Sequence, residues 1–234
     1  MTAITNKLMK DFLDVEKFKP KVVQGNFPVS KLPEIPSVKP SEIVNSVYSP
    51  RWDEACKLHE IQTKYKPCSL NNCKLIPKGI VELGRRWVEN PKRPSLYLFG
   101  NTGSGKTHFA TSLFREMVER GYGWMIFRKS DDLDDELLLS IENKHEKTCL
   151  AKYCEVPLLF IDDLGVERAG DRVIRQYYKI LDKRIGEGLT TVITSNAPKD
   201  KLDMGDRISS RLELFLSIEF PRVDIRKQLE ITMI

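Results

Sequence analysis

Apolar residues gather in five short stretches, at 95–99, 123–128, 157–163, 189–194 and 214–220, each the length of a strand buried in a parallel sheet. Between and around the runs, apolar positions recur at three- and four-residue steps. These steps predict helices over 80–89, 108–120, 131–145, 171–184 and 206–212, with a shorter one near 52–59. Asn90-Pro91 stops the first of these, and Gly121 follows the second. Strands alternating with helices belong to an α/β domain. Upstream, Ile4, Leu8, Phe12, Val15 and Phe18 line one face of a helix within residues 1–19 whose other face is charged. Pro20, Pro28, Pro33, Pro36 and Pro40 follow in a stretch without periodicity, a semi-extended linker. An apolar face beyond such a linker either folds back onto its own domain or docks a partner, and docking is the preferred reading.

Two of the runs end in chemistry. After 95–99 the chain reads Gly100, Asn101, Thr102, Gly103, Ser104, Gly105, Lys106, Thr107, His108, which contains GxxxxGK[ST] between a predicted strand and a predicted helix. Glycines let backbone N–H groups converge on phosphate oxygens, and the helix N-terminus adds positive potential. Lys106 is expected to reach the β and γ phosphates of ATP and Thr107 to bind Mg2+. The run at 157–163 closes with Asp162 and Asp163, carboxylates at the tip of a buried strand. In this Walker B pattern Asp162 holds the magnesium and Asp163 polarises the water that attacks the γ-phosphate. Asn196, just past 189–194, is placed to orient that water or sense the γ-phosphate. Arg207 and Arg211 share one helical face.

The 234 residues allow one such domain with an appended arm, and a net charge of +5 permits contact with nucleic acid without requiring it. No run of about eighteen apolar residues exists, and a cytoplasmic protein is expected. Five cysteines, an odd number, argue for reduced thiols. Cys56, His59, Cys68 and Cys73 lie close enough to raise a zinc site, but without paired C-x₂-C knuckles ordinary packing is the plainer reading.

Together these stretches resemble the AAA+ ATPases, and within them the bacterial replicative helicase loaders of the DnaC and DnaI type, with IstB transposition helpers as close relatives. Residues 103–110 are similar to the family's GTGKTHLA, 160–165 to its IDDLG and 191–196 to its TILTSN, while 65–72 resemble the segment before the first domain helix. The resemblance implies a three-layer sandwich around a five-stranded parallel sheet of order 5-1-4-3-2, with ATP at the C-terminal strand tips. It divides the chain into a docking helix (1–19), a linker and lead-in (20–59) and an ATPase domain (60–234). Arg211 matches the arginine finger, with Arg207 its neighbour, so self-association through the ATPase interface is implied. Also implied are a hexameric DnaB-like replicative helicase and single-stranded DNA as partners, and no membrane. Arg128 and Lys129 are candidate DNA contacts. Some features depart from the pattern. Asp163 stands where many AAA+ enzymes have glutamate, which implies slow hydrolysis, and the chain closes too soon after the last strand for a full helical lid. Arg226 only loosely matches a terminal D-Y-R. Rival readings are an IstB-type helper that binds duplex DNA and a transposase, a nucleotide-sensing interaction protein without turnover, and, last, a P-loop kinase.

Overall fold

In the computed structural model, residues 50–165, 170–221 and 224 are described. The predicted docking helix, most of its linker and Arg226 lie outside them.

The described chain runs α1 (Pro50–Leu58), a 3₁₀ turn (Thr63–Tyr65), α2 (Lys78–Glu89), β1 (Leu96–Phe99), α3 (Lys106–Glu119), β2 (Met125–Lys129), α4 (Ser130–Glu142) and α5 (Glu146–Glu155). It continues through β3 (Leu158–Leu164), α6 (Asp171–Gly186), β4 (Thr190–Ser195), a 3₁₀ turn (Lys199–Lys201), α7 (Asp206–Leu212) and β5 (Leu216–Glu219). The five strands form one parallel sheet of order β2-β3-β4-β1-β5, which is the expected order read from the opposite edge. The central strands β1, β3 and β4 are buried along nearly their whole length because both faces are covered, whereas the edge strands β2 and β5 alternate between buried and more exposed positions. Leu96, Leu98, Phe160 and Val192 point into a core shared with α1, α2 and α3. Tyr97, Leu159, Ile161 and Ile193 point into a second core under α4, α5, α6 and α7. This is the expected three-layer sandwich. Among the described residues no helix is long and apolar enough to cross a membrane.

Helix α1 is built into the first core through Trp52 and Cys56, and the Trp52 indole N–H donates to the Lys66 carbonyl at 2.7 Å. The lead-in turn therefore rests on α1. The helix expected over 131–145 is α4, which stops three residues early, at Glu142. Lys144 adopts a left-handed φ of 61°, and the His145 N–H turns back to the Ser140 carbonyl, which ends α4. Helix α5, which the apolar pattern did not indicate, then packs the fully buried Tyr153 under the sheet. Its phenol donates to Glu136 on α4. Buried Arg184 on α6 donates to the carbonyls of Tyr153, Val156 and Thr190, which ties α5 and β4 to α6.

A phosphate loop between three strand tips

Strand β1 is flanked by β4 and β5, and β4 by β3, so the turn leaving β1 emerges beside the tips of β3 and β4. This is the usual ligand position in an open parallel sheet. At Gly100 the backbone takes φ 150°, and a Cβ there would stand 2.9 Å from the Phe220 carbonyl oxygen. The end of β5 thus excludes any side chain at that position. Gly105, at φ 97°, caps α3. Within the loop the Ser104 hydroxyl is buried without a hydrogen-bond partner in the protein, a polar group of the kind a bound ligand or water satisfies.

Lys106, the first residue of α3, is buried, and its ammonium donates to the carbonyls of Gly100 at 2.9 Å and Asn101 at 3.0 Å. Its third bond, at 2.8 Å, goes to the side-chain oxygen of Asn196, which projects past the end of β4. Two residues 90 apart in sequence thereby meet across the mouth of the loop.

At the tip of β3 the ladder to β4 slips: Ile161 pairs with Ile193 but Leu164 with Ser195, so β3 carries one residue more than its partner. The bulge is Asp162-Asp163, and Asp163 sits at a left-handed φ of 60°. Three hydroxyls hold it. Ser130 donates to the Asp163 carbonyl at 2.8 Å and Ser195 to the Leu164 carbonyl at 2.8 Å, while the Asp163 N–H donates to the Thr194 oxygen at 2.8 Å. Asp162 is 3 % exposed. Burial, and secondarily the Asp163 charge, push its carboxyl up to about 6, against hydrogen bonds from Thr194 and Thr107 and the positive charge of Lys106.

Thr107 and Tyr65 stand side by side, and both line two cavities. The larger, of about 530 Å³, runs from Leu75 and Ile76 past Tyr65 to Lys106, Asp163 and Asn196, within the size range of small-molecule sites (about 300–1,000 Å³). The smaller, of about 170 Å³, is lined by Thr107, Thr111, Lys129, Asp162 and Asp163. His108 faces Asn72 of the lead-in at 3.1 Å. Asn101 and Thr102 are exposed at the crest of the loop.

The arginines lie apart from this constellation. Arg211 donates to Asp182 at 2.8 Å and to the Tyr178 hydroxyl at 3.0 Å, both on α6, with its guanidinium 4.8 Å from the Tyr178 ring centroid. Arg207 approaches the same ring at 5.9 Å. Arg128 pairs with Glu136 and Lys129 with Asp131, so both candidate DNA contacts have partners within the chain. Cys56, Cys68 and Cys73 are buried free thiols. Burial raises Cys56 to about 11 and Cys68 to about 12. His59 packs its edge on Phe114 at 5.0 Å. Among the described residues no group of three or more His, Cys, Asp or Glu side chains could hold a metal.

A family model described as "IstB-like ATP binding protein" matches residues 73–206, more than half of the chain and all of the loop, bulge and β4 tip just described. The chain belongs to this IstB-like family. Among curated proteins, chromosomal replication initiator protein DnaA 1 of Chlamydia pneumoniae is 30% identical over 124 residues, 53% of the IstB-like chain and 27% of the relative. The chain therefore spans about a quarter of that relative's length. Two solved structures share its fold. DnaI matches with TM-score 0.59 and 25% identity, over 69% of this chain and 95% of that one. The DnaC helicase loader matches with TM-score 0.58 and 22% identity, over 68% and 100%. The AAA+ fold expected from the motifs is thus the fold observed.

Sequence reasoning passed over three groups of this IstB-like site. Thr194 lies inside the 191–196 stretch, but the sequence alone gives it no role, because its partners are more than thirty residues away. Tyr65 and Asn72 entered only through resemblance, and nothing local announces that they reach Thr107 and His108.

Proposed function

We propose that the chain is an ATP-hydrolysing assembly factor that delivers a hexameric, DnaB-like replicative helicase onto single-stranded DNA. The observation that carries the ATPase half is the convergence of Lys106, Thr107, Asp163 and Asn196 from three strand tips onto one cavity, with Asp162 lining the smaller cavity beside it. In this reading Lys106 exchanges its carbonyl and amide acceptors for β- and γ-phosphate oxygens, while residues 100–105 offer backbone N–H groups. Thr107 and Asp162 would hold magnesium. Oxygen donors, one of them a buried carboxylate beside a second carboxylate, suit that hard cation. When bound, the ion supplies neutralisation of phosphate charge. Asp163 takes the proton of the attacking water, and Asn196, released from Lys106, orients that water. Arg211, from the rim of one protomer, acts on the ATP of the next, and Arg207 supports it. Turnover is slow, and assembly or DNA raises it. The likeness to a helicase loader supports the second half of the proposal, and a cytoplasmic location accords with it.

The test is loading of a purified DnaB-like hexamer onto a closed single-stranded circle. ATP plus the chain should raise circle-bound helicase severalfold over ADP, and Lys106→Ala should abolish the gain. The family match favours one rival, the transposition helper. Nucleotide-dependent binding of duplex in preference to single-stranded DNA, with no helicase capture, would decide for that rival.

A further inference from the structure

We propose that Thr194 is a positioning residue whose single hydroxyl aligns both acidic residues of the β3 tip, and that Thr194, Ser195 and Asn196, at and just past the end of β4, set β3 against the phosphate loop. The inference rests on the ATPase reading and extends it to a residue outside the motif roles assigned above.

The polarity of the two bonds is fixed by chemistry. A backbone N–H can only donate, so the Thr194 oxygen accepts from Asp163 at 2.8 Å. Its own proton is then free for an acceptor, and it lies 2.7 Å from Asp162 Oδ1. The hydroxyl is thus at once acceptor for one acid's backbone and donor to the other's carboxylate. This matters because Asp163 occupies a left-handed conformation inside a bulge, a setting that neighbours must impose. Without the hydroxyl a partly buried N–H loses its acceptor, and the bulge can relax toward regular pairing. The Asp163 carboxylate would then swing away from the larger cavity, which it lines together with Lys106.

The neighbours of Thr194 repeat the arrangement. Ser195 donates to the Leu164 carbonyl, closing the far side of the bulge, and Asn196 accepts from Lys106. Three successive residues therefore contact Asp162-Asp163, Leu164 and Lys106. A change at the Asn196–Lys106 contact shifts the same tip that carries Thr194, so occupancy of the loop and alignment of Asp163 are mechanically linked.

The test uses the full chain with Thr194→Val, which keeps shape and branching but removes the hydroxyl, and Thr194→Ser, which keeps the hydroxyl. Two quantities are measured: steady-state ATP turnover, with kcat and KM resolved, and hydrogen exchange of the Asp163 amide without nucleotide. Thr194→Val should lower kcat by on the order of tenfold to a hundredfold with KM changed less than about threefold, as expected when a reacting group is displaced by about an ångström. Its Asp163 amide should exchange faster, while Thr194→Ser restores both readouts to near the parent. The proposal is overturned if Thr194→Val turns over at the parent rate, if Thr194→Ser is as defective as Thr194→Val, or if KM rises as much as kcat falls. Absence of turnover in the parent would overturn the ATPase reading. A protected Asp163 amide in that case would leave Thr194 with a purely structural role and refute its positioning one.

Discussion

To hold a cation, as proposed, Asp162 has to be charged, yet it sits where burial makes charge costly. Its carboxyl is raised from 3.8 to about 6, so the folded chain binds that proton more tightly than the unfolded chain does. The stability contributed by the protonated form is present below about pH 4 and is lost as pH rises toward 6. Above that, the fold carries an ionised, buried acid. A shift of this size corresponds to roughly 3 kcal/mol, a large share of the net stability of a domain. Asp162→Asn keeps an acceptor for Thr194 and Thr107 but removes the charge. Without nucleotide or magnesium it should be more stable than the parent at pH 7.5, by up to that amount, and the difference should shrink at pH 4.5. Chemical denaturation at the two pH values measures this. Equal stabilities at pH 7.5 would mean that the site carries no such strain.

The strands and the phosphate loop were legible in the sequence because they obey local rules. Five apolar runs became five strands within two or three residues, and Gly100 to Thr107 became a strand-to-helix turn. Helix α5 was not legible. Its buried Tyr153 has only half-buried apolar neighbours on the helix, Cys149, Leu150, Ala151 and Cys154 among them, and it follows a left-handed turn at Lys144 that a helical period alone does not reveal. The Asp162-Asp163 bulge was illegible for a different reason: it is defined by register against β4, thirty residues on. The same holds for α7, where spacing placed Arg207 and Arg211 together but gave no hint that α6 supplies Asp182 and Tyr178 beneath them. Those partners fix the orientation of Arg211 at the edge of the second core. If it acts there on a neighbour's ATP, Arg211→Ala should keep nucleotide affinity and lose turnover by roughly a thousandfold. Mixed with Lys106→Ala it should regain activity, since one kind of mixed interface joins an intact loop to an intact arginine. Two inactive variants that co-assemble but stay inactive at every ratio would reduce Arg211 to a brace for α6.

A parallel sheet with three loaded tips, a cavity in front of them and a lead-in that closes over Thr107 through Tyr65 makes one connected device. The sheet order puts the phosphate loop next to β4, the Asn196–Lys106 bond spans the gap, and the β4 tip passes the position of the loop to Asp163. On the proposed function, binding of partners and DNA would be driven by what occupies the loop, and release by what Asp163 does to it. Contacts to DNA phosphates should make the nucleotide-dependent binding fall steeply with salt. The proposed ATPase has two separable properties at its site, holding ATP and consuming it. The most direct measurement is therefore ATP affinity and steady-state phosphate release for the parent, Lys106→Ala and Asp163→Asn side by side. Asparagine is the apt replacement because it tolerates the left-handed φ of position 163 and removes only the charge. The parent should bind and hydrolyse ATP, and Lys106→Ala should do neither. Asp163→Asn should bind ATP within about threefold of the parent while releasing phosphate at least about a hundredfold more slowly. Phosphate release by Asp163→Asn at the parent rate would contradict it.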